Sequence, residues 1–301
     1  IEEPINILDL FRILIKGRWT VAFATVSISI VAVIYSLSLP NIYQSKAILV
    51  PVNSSNSISG ALQSYSGIAN LVGVNIPSDD GDNNSVQAIE KLGSLSFFKD
   101  HLLPDIFLPN LMAIKSWNYK TNELVYDESV YNKTTNAWVR DFSYPKRQIP
   151  SAQESFEVFK MRLNISTDTN TGFLSLSIKH QSPHIAKKWT NLIIRNINSY
   201  YLEKDKSEAQ KAIDYLQNQI AVTNISEIKE VMAQLLQQEL QKLTLMEATE
   251  FYVFEYIDPP EVMEKKSEPK RSLICILGSM LGFIIGALFV LIKHFRKIFF
   301  K

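Results

Sequence analysis

The 301-residue chain contains a single cysteine, Cys275, and only four histidines. One cysteine cannot close an intramolecular disulfide, so any globular part must hold by packing alone, and cysteine-rich structural zinc sites are excluded. Net charge is nearly absent, with 31 Lys+Arg against 30 Asp+Glu. That balance lacks the basic excess needed to bind a phosphate backbone, and no nucleic-acid partner is expected. The patterns that carry enzyme chemistry are missing too: there is no GxxxxGKS/T phosphate loop, no GxGxxG, no GxSxG and no HExxH. His180 and His184 lie close in sequence, but one ends a strand pattern and the other begins a helix. Asp79, Asp80 and Asp82 lack the alternating ligands and closing Glu of a calcium loop. The expectation is a non-enzyme with no catalytic, cofactor-binding or metal-binding residue.

Charge is also missing from two stretches, residues 21–39 and 273–292. Each holds about 20 mainly apolar residues, enough at 1.5 Å per residue to cross a hydrocarbon core of about 30 Å. A cleaved signal peptide is disfavoured for the first, because the apolar run is long and Ser36-Leu37-Ser38 before Pro40 is a poor cleavage site. Arg12, Lys16 and Arg18 precede this stretch, whereas Lys46 is the first charge beyond it. The bias toward basic cytoplasmic flanks predicts a cytoplasmic N-terminus over 1–18, a span at 19–39, a periplasmic region over 40–272, a return span at 273–292 and a cytoplasmic tail at 293–301. Within the second span Gly278, Gly282 and Gly286 share one helical face. Such spacing lets a neighbouring backbone approach closely, either the first span or another subunit.

Between the spans the patterns predict an α+β domain. A strand over 43–52 enters a Ser-rich loop at 53–60, followed by a weakly helical stretch at 61–73 and a turn cluster at 77–84. A helix over 85–101 is expected, capped by Ser85 and ended before Pro104. No clean period runs through 113–149. A short helix at 152–161 precedes a β-hairpin, 163–167 and 174–178, around the turn 168–172. The longest helical pattern covers 183–222. It is interrupted at 223–226, and a second helix with Ser226 as N-cap follows on Ile228, Met232, Leu235, Leu236, Leu240, Leu243 and Met246. A strand-like run at 250–257 leads into a proline-rich return, 258–269, that Pro259, Pro260 and Pro269 should keep extended and stiff. The expected architecture is a small mixed sheet base with long projecting helices, about 183–248, framed by two transmembrane helices.

Seven aromatics crowd residues 117–144, among them Trp117, Tyr119 and Trp138. Aromatic rings fill small cores, which is the main expectation here, and they also stack on sugar faces, which makes these three candidates for glycan contact.

Several local features together resemble the Wzz family of chain length determinants, the polysaccharide co-polymerases that set O-antigen length on lipopolysaccharide. They are Ile7-Leu-Asp-Leu-Phe-Arg-Ile-Leu14 before the first span and Pro40-Asn-Ile-Tyr43-Gln-Ser45-Lys-Ala47 beyond it. Ser182-Pro183-His-Ile-Ala186 with Trp189-Thr-Asn191 follows the hairpin, and the prolines at 259–269 approach the glycine-bearing span. The match covers about 1–52 and 151–301 and is weak between. The resemblance implies a periplasmic α+β base with a helical extension and a ring-shaped homo-oligomer among inner-membrane lipids. It further implies action beside a Wzy-type polymerase on undecaprenyl-linked glycan, without catalysis. Relatives in capsule export carry a tyrosine kinase after the second span; residues 293–301 contain no tyrosine and no phosphate loop, which points to the class without a kinase. Two other readings compete. A membrane-anchored periplasmic sensor needs a cytoplasmic output domain, and a glycan-acting enzyme needs a positioned pair of acids.

Overall fold

The computed structural model describes residue 13 and residues 15–52 and 81–299. The expected features at 53–60, 61–73 and 77–80 lie outside the described residues, as does the 7–14 motif apart from Ile13. The chain divides into two compact units, residues 1–43 with 265–301, and residues 44–264.

The first unit is built on two apolar helices, α1 (Arg18–Ser38) and α6 (Arg271–Phe299). Helix α6 begins two residues earlier than the charge-free stretch and continues through the basic tail, because residues 293–299 contain no glycine or proline to stop it. Both helices are long and apolar enough to cross a membrane.

The second unit carries a four-stranded sheet in the order β6-β7-β1-β8, formed by β1 (Tyr43–Pro51), β6 (Leu163–Thr167), β7 (Leu174–His180) and β8 (Phe254–Asp258). The hairpin β6–β7 pairs Leu163 with Ile178 and Thr167 with Leu174. Its turn closes on Gly172, whose φ of 72° suits a residue without Cβ, and Asp168 Oδ1 accepts the Asn170 N–H at 2.8 Å. Strand β1 pairs antiparallel with β8 across an irregularity between Ile48 and Leu49. Alternation puts Leu174, Leu176 and Ile178 of β7 and Ala47 and Leu49 of β1 fully inside.

Helix α3 (Ala152–Arg162) and the first half of α4 (Pro183–Val222) pack on this sheet. Ser151 caps α3 by accepting the Glu154 N–H at 3.2 Å. Phe98 stacks obliquely on Phe156 and Phe159, with ring centroids 5.6 and 4.9 Å apart, and Phe159 lies 6.2 Å from Trp189 of α4. Each such buried side chain stabilises the unit by about 1.5–3 kcal/mol relative to exposure. Beyond the sheet α4 continues to a length of about 60 Å and pairs with α5 (Ser226–Ala248).

Several expected boundaries move. The helix expected from 85 starts at Gly81 as α2 (Gly81–Leu92), so Ser85 is inside it and buried rather than a cap. Gly93 and Ser94 then break the chain, and Ser94 caps a new turn by accepting the Phe97 N–H. Ser226 is the first residue of α5, and Ile225 occupies the N-cap without a side-chain bond. The stretch without a period holds two small hairpins, β2 (Ile114–Asn118) with β3 (Glu123–Tyr126) and β4 (Tyr131–Asn132) with β5 (Ala137–Trp138). Their turns use Asn122 (φ 54°) and Asn136 (φ 52°), since Asn tolerates the left-handed region.

Candidate functional site

Glycine spacing in α6 produces a close seam with α1. A Cβ at position 282 would lie 2.9 Å from Thr25 Cα and 3.2 Å from Ile28 Cβ; one at 286 would lie 3.0 Å from Val21 Cα and 3.1 Å from Ala24 Cβ. Gly278 faces Ala32 in the same way, and Gly17 of the chain entering α1 faces Val290. Ser279 donates to Cys275 O at 2.8 Å, and the Ser29 and Ser279 hydroxyls meet at 3.0 Å across the seam. The partner of the glycine face is therefore the chain's own first apolar helix. Small residues of α1 at helical spacing, Ala24, Thr25, Ala32, are the complementary signal that a reading of α6 alone misses.

Next to the seam, the same unit ties its two chain crossings together. Ile42 and Glu268 exchange backbone bonds, Ile42 N–H to Glu268 O at 2.9 Å and Glu268 N–H to Ile42 O at 3.2 Å. Asn41 Oδ1 accepts from Lys266 at 3.3 Å and Arg271 at 3.2 Å. Residues 259–270 contain no helix, and Pro269, half-buried, precedes the start of α6 with Lys270 between them. In the 44–264 unit, Pro260 is buried, Pro259 is exposed, and the adjoining Glu261 is held twice. Ser45 donates to its carbonyl at 2.8 Å, and Lys187 pairs with its carboxylate at 3.0 Å, which holds that carboxyl below its usual range.

The aromatic stretch is split rather than gathered. Tyr131 is buried at the centre of one cluster, 5.3 Å from Trp138 and 5.6 Å from Tyr126. Trp117 stands apart, donating to Asn122 Oδ1 at 2.9 Å and lying 6.3 Å from His184. Tyr119 is 72% exposed. Trp117, Tyr119 and Trp138 thus do not form one platform.

His180 is the histidine whose environment shifts it most clearly. It is 1% exposed, and burial pushes its pKa down to about 4. Ser182 N–H donates to Nδ1 at 2.9 Å, so the proton resides on Nε2, which donates to Asn110 O at 3.0 Å. Arg162, lowered by burial, donates to the neighbouring Leu111 O at 2.9 Å. Both groups satisfy carbonyls at the end of the short helix Leu108–Met112, a structural task. Among the described residues, no three His, Cys, Asp or Glu side chains come together as a metal site.

One central residue has no motif to announce it. Asn198 of α4, 7% exposed, accepts the N–H groups of Tyr252, Val253 and Phe254 at 3.1, 2.7 and 2.9 Å, and donates to Ile194 O and Phe254 O at 3.0 Å. Nearby, Tyr252 donates to Asp205 at 2.6 Å. A polar residue on the buried face of a long helix, between Ile194 and Tyr201, is the sequence signal for such an anchor.

Two family descriptions match the chain. "Chain length determinant protein" (Wzz) matches residues 3–96, and "G-rich domain on putative tyrosine kinase" (GNVR) matches residues 218–295. No curated protein sequence matches. Among solved structures, the chain is similar to a full-length bacterial polysaccharide co-polymerase at 13% identity, covering 97% of this chain and 98% of that one with a TM-score of 0.42. It is also similar to a fragment of WzzB, a polysaccharide co-polymerase from Salmonella Typhimurium, at 14% identity, covering 76% of this chain and all of that fragment, TM-score 0.30.

Proposed function

We propose that this chain, which belongs to the Wzz family of chain length determinants, regulates the length of lipopolysaccharide O-antigen without catalysing its polymerisation. The single observation that carries this reading is the chain length determinant match over residues 3–96. That stretch takes in α1, the Asn41–Ile42 tie and the inner strand β1. In this reading α1 and α6 span the bacterial inner membrane, both termini are cytoplasmic and the 44–264 unit is periplasmic. The protein works as a homo-oligomer beside a Wzy-type polymerase acting on undecaprenyl-linked glycan. Support for self-association comes from α5, in which Met246 is the buried residue while Leu240 and Leu245 are 44% and 50% exposed. Large apolar side chains left bare on a helix call for another surface to cover them.

The test is the lipopolysaccharide ladder on a gel from a deletion strain and from the strain complemented with this chain. Loss of a preferred length on deletion, restored by complementation, is expected. A ladder indifferent to the deletion overturns the proposal.

A further inference from the structure

A cleft of about 730 Å³ opens within the 44–264 unit, away from the small hairpins. One wall is a single face of α4, where Lys188, Asn191 and Arg195 recur at helical spacing. The opposite wall is β8 with the segment entering it, which contribute Tyr256 and Phe251; Asp105 and Glu250 complete the polar lining. The walls are braced. Asn198 grips the backbone at 252–254 from below, and Tyr256 donates to Asn191 Oδ1 at 3.2 Å. Burial raises the Tyr256 phenol, so it remains a neutral hydrogen-bonding group.

The chemistry of the lining selects among ligands. Two cations and two carboxylates cancel in formal charge, and Arg195 stands 4.0 Å from Asp105. An anion would meet both acids, and an apolar segment would strip water from four charges without replacing it. A polyhydroxylated neutral ligand offers donors to Asp105 and Glu250 and acceptors to Lys188 and Arg195. Phe251 and Tyr256 meet edge to face, 5.5 Å apart at 89°, so they present ring surface in two directions to the C–H faces of pyranose rings. The volume falls in the range that encloses a small ligand, here a short oligosaccharide rather than a polymer.

We propose that the cleft between α4 and β8, with the segment entering it, binds a short, uncharged oligosaccharide stretch of the glycan whose length the protein regulates. The proposal rests on the function given above and adds to it a specific point of contact.

The full chain in lipid nanodiscs is titrated calorimetrically with size-sorted oligosaccharides released by mild acid from the host's own O-antigen. Binding by the parent is expected. Arg195→Ala and Tyr256→Ala should each weaken it about tenfold or more, the loss of a charge-assisted hydrogen bond or a stacking surface. Lys211→Ala, on the same helix outside the cleft, should bind like the parent. If Tyr256→Ala does not fold, Lys188→Gln and Arg195→Gln, both at exposed side chains, carry the test with thermal unfolding as the control. No binding by the parent, equal binding by the cleft variants, or displacement of the sugar by excess inorganic phosphate overturns the neutral-sugar site. A deletion strain with an unchanged ladder overturns the proposed function instead. A ladder that depends on the chain but not on Arg195 or Tyr256 sinks the cleft alone.

Discussion

Asn198 and His180 are polar groups placed inside apolar packing, and each yields a measurable consequence. Removing the Asn198 amide strands the two buried N–H donors of Val253 and Phe254 and takes an acceptor from the part-buried N–H of Tyr252. Each orphan costs about 1–3 kcal/mol when water cannot replace the bond, so Asn198→Ala should destabilise the chain by about 3 kcal/mol or more. A thermal unfolding midpoint unchanged from the parent would show that solvent reaches the site. His180 is neutral in the folded protein down to about pH 4, whereas the unfolded imidazole protonates near its ordinary value of 6.5. Between those values the unfolded state binds the extra proton, so the stability His180 contributes is whole above about pH 6.5 and is withdrawn as the pH falls toward 4. At 1.36 kcal/mol per unit the loss is of the order of 3 kcal/mol. Denaturant midpoints measured across this range should fall for the parent and stay flatter for His180→Gln.

Among the elements, the α1–α6 seam depends on the absence of side chains at one face of α6. Gly282→Leu would drive a side chain into Thr25 Cα, which is backbone and cannot yield, so the helices must part. Ser29 and Ser279 face each other at 3.0 Å and report on the seam directly. With Cys275 replaced by serine, the pair Ser29→Cys and Ser279→Cys should oxidise to a crosslink within one chain. Gly282→Leu should suppress it. Crosslinks that appear only between chains would move the glycine face to an intersubunit contact. The paired helices α4 and α5 make a contrasting case, because one chain leaves part of their apolar surface bare. Leu240→Asp and Leu245→Asp, at exposed positions, should reduce the assembled mass by light scattering while far-UV helicity stays at the parental level. Leu236→Asp, at a half-buried position of α5, should lower both, since it places an unpaired charge where the side chain is partly removed from water. Intact assemblies in the Leu240 and Leu245 variants would show that α5 is not the contacting face.

For the whole molecule, the proposed topology places residue 144 and the C-terminus on opposite sides of a membrane. Tyr144 is 96% exposed, which makes it a clean reporter. With Cys275 replaced, Tyr144→Cys should react with an impermeant maleimide added to outer-membrane-permeabilised cells, and Lys301→Cys should react only after lysis. The reverse pattern would invert the protein in its membrane.

Local physics made much of this chain readable in advance. Charge-free runs marked α1 and α6, alternation marked the β6–β7 hairpin, and a long apolar period opened by Ser182-Pro183 marked α4 to its last residue. These are periodicities that an element must satisfy whatever packs against it. The two hairpins at 114–138 escaped because two- to five-residue strands are too short to show a period, and the asparagines that turn them are common loop residues. Glycine spacing in α6 revealed a surface for close approach, but only the folded chain paired it with Val21, Thr25 and Ala32 rather than with another molecule. Asn198 and the Arg195–Tyr256 cleft were equally hidden. Their partners lie about 55 residues away or more, and which distant groups meet is decided by how α4 and the return segment settle on the sheet. Such long-range juxtaposition minimises unsatisfied buried groups over the whole unit, a condition that no local stretch of sequence can express.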